Sequence, residues 1–143
     1  MATGRTGQLI GAFLLLSAVS VGRAAELGPQ VPPFSVPVDQ RDGIQRATVV
    51  LDSYSYTPNH LIVQAGKPVE FVLTSITTIT PHNFILKDEA AGFSIERDVS
   101  AGKTVTVQFT PTKPGIYPFY CDKKLLFFPS HREKGMEGKL EVR

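Results

Sequence analysis

From Arg46 to the C-terminus the chain alternates apolar and polar residues with a period of two, the mark of strands that turn one face to a core and the other to water. Val69, Phe71 and Leu73 share a face against Glu70 and Thr74. Val105, Val107 and Phe109 oppose Thr104, Thr106 and Gln108. His82, Phe84 and Leu86 alternate with Asn83, Ile85 and Lys87, and Leu140 and Val142 with Lys139 and Glu141. Turn residues separate these runs at Ala65-Gly66-Lys67-Pro68, Ala101-Gly102-Lys103 and Pro111 to Gly115. No long segment has helical periodicity, and there is no internal repeat. About seven short strands over roughly a hundred residues predict an all-β fold, a two-sheet sandwich whose inner faces interdigitate into one core.

The pattern changes upstream. Residues 25–45 carry Pro29, Pro32, Pro33 and Pro37, which prevents helix and favours extended chain. This leader is either a flexible tether or an added edge strand. Before it, Arg5 precedes an apolar run from Leu9 to Val21, followed by the small residues Gly22 and Ala24. That layout reads as a secretory signal over residues 1–24, cut between Ala24 and Ala25. The competing reading is a membrane anchor, and the run falls short of the roughly 20 residues a spanning helix needs. The expected organisation is thus signal 1–24, Pro-rich leader 25–45 and one domain 46–143.

Charge then narrows the class. Lys plus Arg number 15 and Asp plus Glu 13, but Arg5 and Arg23 belong to the signal, which holds no acidic residue. The exported chain is left with 13 of each and a net charge near zero. No basic stripe for nucleic acid survives, and no second segment is apolar enough to span a membrane after cleavage.

The chain has one cysteine, Cys121. An exported domain of this size often carries disulfides, and a single thiol permits none within the chain. Such a thiol is buried and inert, paired with another chain, or held by a metal. Its context favours the last. Cys121 closes the segment GIYPFYC on a face with Tyr117 and Phe119, and His82 opens a strand on a face with Phe84 and Leu86. Downstream stand His131 and Met136, the one methionine besides Met1. A thiolate, two imidazoles and a thioether suit a soft metal, copper above all, and the set of two His, one Cys and a weak axial Met belongs to blue-copper electron-transfer sites. His60, in TPNHLIV, is expected to be structural or exposed.

On these residues the chain resembles the cupredoxins, the plastocyanin and azurin kind. The likeness runs from about Arg46 to Arg143 through TPNHLIVQAGKPVEFVLT, Pro81-His82-Asn83-Phe84, and YPFYC followed by His131, Gly135-Met136 and EGKLEVR. The resemblance implies a Greek-key sandwich with one copper ion at one end, bound by His82, Cys121, His131 and Met136. It also implies that Asn83 pins the two ligand-bearing loops together. One departure stands out: nine residues, DKKLLFFPS, separate Cys121 from His131, where cupredoxins usually place few. The loop is expected to bulge outward and bring His131 back, so that the Cys121 sulfur and one ring nitrogen each of His82 and His131 converge within about 4 Å. Burial of about half of Leu125, Leu126, Phe127 and Phe128 would offset the closure entropy. This apolar run is either a lid over the metal or an exposed patch for docking a redox protein partner across Leu125–Pro129, with Lys123 and Lys124 steering an acidic face.

The resulting expectation is a periplasmic, non-enzymatic carrier of single electrons cycling one copper between Cu(I) and Cu(II). The alternative is copper handling, meaning binding, buffering or delivery, which the long loop would suit. Enzymatic oxidases and nitrite reductases need further metal centres for which spare histidines are lacking, and a binuclear copper centre would need two bridging cysteines.

Overall fold

The computed structural model describes residues 31–143 together with Met1, Thr3 and Gly4. The apolar run and cleavage site expected upstream, and residues 25–30 of the leader, lie outside the described residues. Ten strands follow one another: β1 (Phe34–Ser35), β2 (Gln45–Asp52), β3 (Ser55–Thr57), β4 (His60–Val63), β5 (Val69–Ser75), β6 (His82–Asp88), β7 (Phe93–Val99), β8 (Thr104–Phe109), β9 (Gly115–Tyr120) and β10 (Glu137–Val142). A single 3₁₀ turn, Glu89–Ala91, is the only helical element among the described residues; it is capped by the Asp88 carboxylate, which accepts from the Ala91 N–H. No helix among them is long and apolar enough to cross a membrane. The strands beyond the expected seven include β1 and β3, of two and three residues, too short for a period of two to register.

Six strands form one sheet in the order β1-β4-β10-β9-β6-β7, and four form the other in the order β3-β2-β5-β8. The chain passes back and forth between the sheets, as a Greek-key sandwich requires. Of the two readings of the leader, residues 34–35 are an edge strand, running parallel to β4 with Phe34 beside Leu61.

The inward faces follow the sequence pattern closely. Val69, Phe71 and Leu73 are buried, as are Phe84, Leu86, Leu140 and Val142. Two strands depart from it. On the edge strand β8, Val107 is buried but Val105 and Phe109 are only partly covered. On β6, Asn83 and Ile85 are buried as well as His82, Phe84 and Leu86, and the Asn83 side chain is bonded to Asp122.

Phe71, Phe84 and Phe119 are fully buried at the centre with Tyr56 beside them. Tyr56 meets Phe119 edge-on at 5.1 Å between ring centroids, and Phe84 meets Phe119 at 5.1 Å. Each such ring contributes about 1.5–3 kcal/mol through burial. Gly138 makes the contact possible on β10: a Cβ there would lie 2.3 Å from Phe119 Cζ and 2.5 Å from the Asn59 carbonyl oxygen.

Strand directions bring the chemistry to one end. Antiparallel pairing sets Tyr120 opposite Ile85 and opposite Glu137, so the end of β9 lies beside the beginnings of β6 and β10. Residues 82, 121 and 136 therefore share a pole of the sandwich although they are far apart in the chain. The β2–β3 hairpin turn reaches the same pole, since β2 runs parallel to β5 and Leu51 sits beside Ser75, just before the connection to β6.

Candidate metal centre

His82 is the first residue of β6 and Cys121 the residue after β9; both are fully buried, as is Met136 just before β10. His131 is 7% exposed. Cys121 Sγ lies 3.4 Å from His131 Nδ1, and His131 Nδ1 lies 3.2 Å from His82 Nδ1. All three donor atoms fall within 4.8 Å of one another. Two of the three separations thus meet the 4 Å expected of a shared ion, and the third pair stands within the wider limit. The convergence of a thiol sulfur with two imidazole nitrogens in a buried pocket fits a soft cation such as copper.

Met136 is tied to this group through its backbone. Its N–H donates to the His131 carbonyl at 2.9 Å, and its own carbonyl accepts from the Cys121 N–H at 3.1 Å. The main chain from His131 to Met136 is therefore a compact turn laid against the end of β9, and its thioether is enclosed at the same pole. His60 lies elsewhere, half-buried and paired with Glu141 at 2.9 Å.

The long loop returns as its length allows, and its base is pinned. The His131 N–H donates to the Lys123 carbonyl at 2.8 Å, closing the excursion between those residues. Lys123 is ion-paired to Asp98 at 2.7 Å. The tip is another matter: Leu125, Leu126, Phe127 and Phe128 are 68, 74, 86 and 51% exposed. The expectation that about half of this run is buried is corrected. The Lys123–His131 contact already closes the loop without apolar help, and a turn bonding Phe128 N–H to the Leu125 carbonyl, with Leu126 at φ 50°, directs the side chains outward. The run is a patch, not a lid. With Ile79 and Pro81 from the β5–β6 connection it borders a groove of about 460 Å³ that reaches His131.

Asn83 joins the two ligand-bearing segments. Its backbone N–H donates to Cys121 Sγ at 3.4 Å, and its side chain exchanges hydrogen bonds with Asp122. Tyr56, which sequence reasoning missed, donates its hydroxyl to the Asn83 carbonyl at 2.6 Å. Its partner is remote in the chain, and β3, of three residues, is too short for its pattern to have marked Tyr56. Also missed was Tyr54, whose ring stands edge-on to His131 at 5.0 Å.

Burial sets the protonation of the pocket. It pushes His82 down to about 4, with the neighbouring His131 adding to the effect. His131 is lowered too, by burial first and by Lys134 second. Both imidazoles are neutral at pH 7 and free to offer a lone pair. Burial raises the Cys121 thiol, partly offset by the backbone N–H groups of Asn83 and Lys123, so a cation must displace the thiol proton on binding. His82 Nε2 is buried without a hydrogen-bond partner.

The cupredoxin-like domain family matches residues 13–140. Plastocyanin from Ulva prolifera is 31% identical over 78 residues, 49% of this chain and 74% of that protein. The fold is similar to the metal-binding domain of the Streptococcus pneumoniae Cu(I)-exporting P-type ATPase CopA, with a TM-score of 0.59 and 19% identity over 80% of this chain and 98% of that one. It is also similar to dithionite-reduced auracyanin from Roseiflexus castenholzii, with a TM-score of 0.56 and 19% identity over 68% of this chain and 96% of that one. Family match and donor chemistry agree: the chain belongs to the cupredoxins, and its cofactor is a single copper ion.

Proposed function

We propose that this protein is an exported carrier of single electrons, in which the Cys121 thiolate, the Nδ1 atoms of His82 and His131, and Met136 would hold the copper ion. The observation that carries the reading is the buried convergence of Cys121 Sγ with His131 Nδ1 at 3.4 Å and of the two histidine Nδ1 atoms at 3.2 Å. Copper supplies a one-electron couple when bound. The protein residues hold the donor set still: Asn83 and Asp122 link the segments of His82 and Cys121, His82 opens β6, Cys121 directly follows β9 and Met136 directly precedes β10, and backbone bonds to Lys123 and Met136 hold His131. A site built on paired strands resists rearrangement, which favours electron exchange over release of the ion. The name plastocyanin, carried by the Ulva relative, supports the same reading.

Export to the periplasm follows from the signal-like residues 1–24. The exposed run Leu125–Pro129 beside His131 provides the docking surface for a redox protein partner, with Lys123 and Lys124 at its edge. Copper handling is the second reading, favoured by the nine-residue loop, but the pinned base of that loop argues against easy release. An absorption spectrum of the purified protein with one equivalent of Cu(II) decides between them. Electron transfer requires an intense visible thiolate-to-copper band; its absence from a copper-loaded sample would favour handling.

A further inference from the structure

Tyr54 is the second residue of the two-residue turn between Asp52 and Ser55, which are paired across the β2–β3 hairpin. Its φ is 59°, the left-handed region that a bulky L residue enters at a cost and that turns normally assign to glycine or asparagine. Burial does not explain a tyrosine here, since it is 37% exposed. A strained residue persists where its surroundings determine it, and an observed outlier is grounds for a functional hypothesis.

The surroundings of the ring supply one. Tyr54 stands edge-on to His131, 5.0 Å between centroids with planes at 76°. Lys134 Nζ lies 4.3 Å over the Tyr54 ring centroid and donates to the Tyr54 hydroxyl at 3.1 Å. Lys134 itself belongs to the tight turn between His131 and Met136. Tyr54 thus covers the outer edge of one proposed ligand and holds a cation on the turn that carries two of them. It also lines the groove that leads to His131.

We propose that Tyr54 is a positioning residue that tunes the copper couple, keeping water from the His131 edge and retaining the Lys134 charge near the site. This inference rests on His131 being a copper ligand. The sign follows from electrostatics. Water around the ligand stabilises the more highly charged Cu(II) state, and so does release of a nearby cation into solvent, where it is screened. Both effects of losing the tyrosine therefore lower the reduction potential.

The test is redox titration of the copper-loaded protein and three variants. Tyr54→Gly removes the ring and relieves the left-handed backbone, so the fold should be retained or stabilised while the Cu(I)/Cu(II) ratio at fixed potential falls at least threefold, about 30 mV. Lys134→Met, which leaves Tyr54 in place, should shift it the same way. Tyr54→Phe keeps the shield and should shift it less than Tyr54→Gly. A potential unchanged or raised in Tyr54→Gly overturns the proposal while leaving the copper site intact. Wild-type protein that binds no copper, or a His131→Ala variant with the wild-type spectrum, would overturn the site assignment and this inference with it.

Discussion

Asn83 and Asp122 are joined in both directions: Asn83 Nδ2 donates to Asp122 Oδ1 at 2.7 Å, and Asn83 Oδ1 accepts from the Asp122 N–H at 3.1 Å. One residue follows His82 and the other follows Cys121, so the pair fixes the spacing of two donor side chains. Asn83→Ala removes both bonds and leaves the Asp122 groups to find water. It is expected to cost about 2–3 kcal/mol in denaturant unfolding of the apo protein. It should also broaden the copper spectrum, because the sulfur loses a neighbour held in register. A variant as stable as wild type with an unchanged spectrum would reduce Asn83 to a filler.

Much of this site was legible in the sequence, for identifiable reasons. His82 and Cys121 sit on alternating faces whose other members, Phe84 and Phe119, had to be core, so their inward direction followed from the period. His131 and Met136 were reached through ligand chemistry, since no strand pattern marks them. The orientation of Leu125 to Phe128 was not legible. Composition alone favours burying four large apolar side chains, while the Lys123–His131 hydrogen bond that makes their burial unnecessary is a tertiary fact. Tyr54 was hidden for a similar reason: its contact with His131 exists only because parallel pairing of β2 with β5 carries the hairpin to the copper pole.

Cys121→Ser should abolish the visible charge-transfer band of the copper-loaded protein while leaving the sandwich folded. The thiolate is the source of the band, whereas the fold rests on the aromatic core. The new hydroxyl sits in a fully buried position and should cost about 1–3 kcal/mol, small enough to leave the far-ultraviolet circular dichroism unchanged. An intense visible band in the serine variant would refute Cys121 as the copper ligand.

The apo protein should lose stability as the pH falls from about 6.5 toward 4. A free imidazole titrates near 6.5, and burial holds His82 down to about 4 with His131 shifted in the same direction. Between those values the unfolded chain binds the protons that the folded pocket refuses, so stability is full above the window and is lost on the way down. For His82 alone the loss amounts to about 3 kcal/mol. Carboxylates with lowered values, such as Asp42 and Glu141, add their losses mainly below pH 5, near the unfolded carboxylate range. Denaturant melts of the apo protein across pH 5–7, compared with His82→Leu, check this: the slope should flatten in the variant. An equal slope in both would mean that His82 is not buried neutral.

The exposed loop tip should govern encounter and leave the metal site alone. Its base is fixed by the His131–Lys123 and Asn83–Asp122 contacts, so substitutions at Leu125 and Phe127 do not reach the ligands. Both side chains are mostly in water, and changing them should alter stability by no more than about 0.5 kcal/mol. If electrons pass through His131 at this face, two copies of the protein must bring these tips together to exchange an electron. Leu125→Glu combined with Phe127→Glu puts two like charges on each opposing surface and strips the apolar contact. Like charges meeting at a contact cost several kcal/mol, and 1.4 kcal/mol is a factor of ten. Electron self-exchange between reduced and oxidised protein, read from NMR line broadening, should therefore slow by about tenfold or more, with the visible spectrum unchanged. Raising the ionic strength should recover part of the loss, because exposed charges are screened over about 8 Å at 0.15 M salt. Self-exchange that proceeds at the wild-type rate in the double variant would place the electron exit elsewhere on the sandwich and leave the apolar tip without a role in transfer.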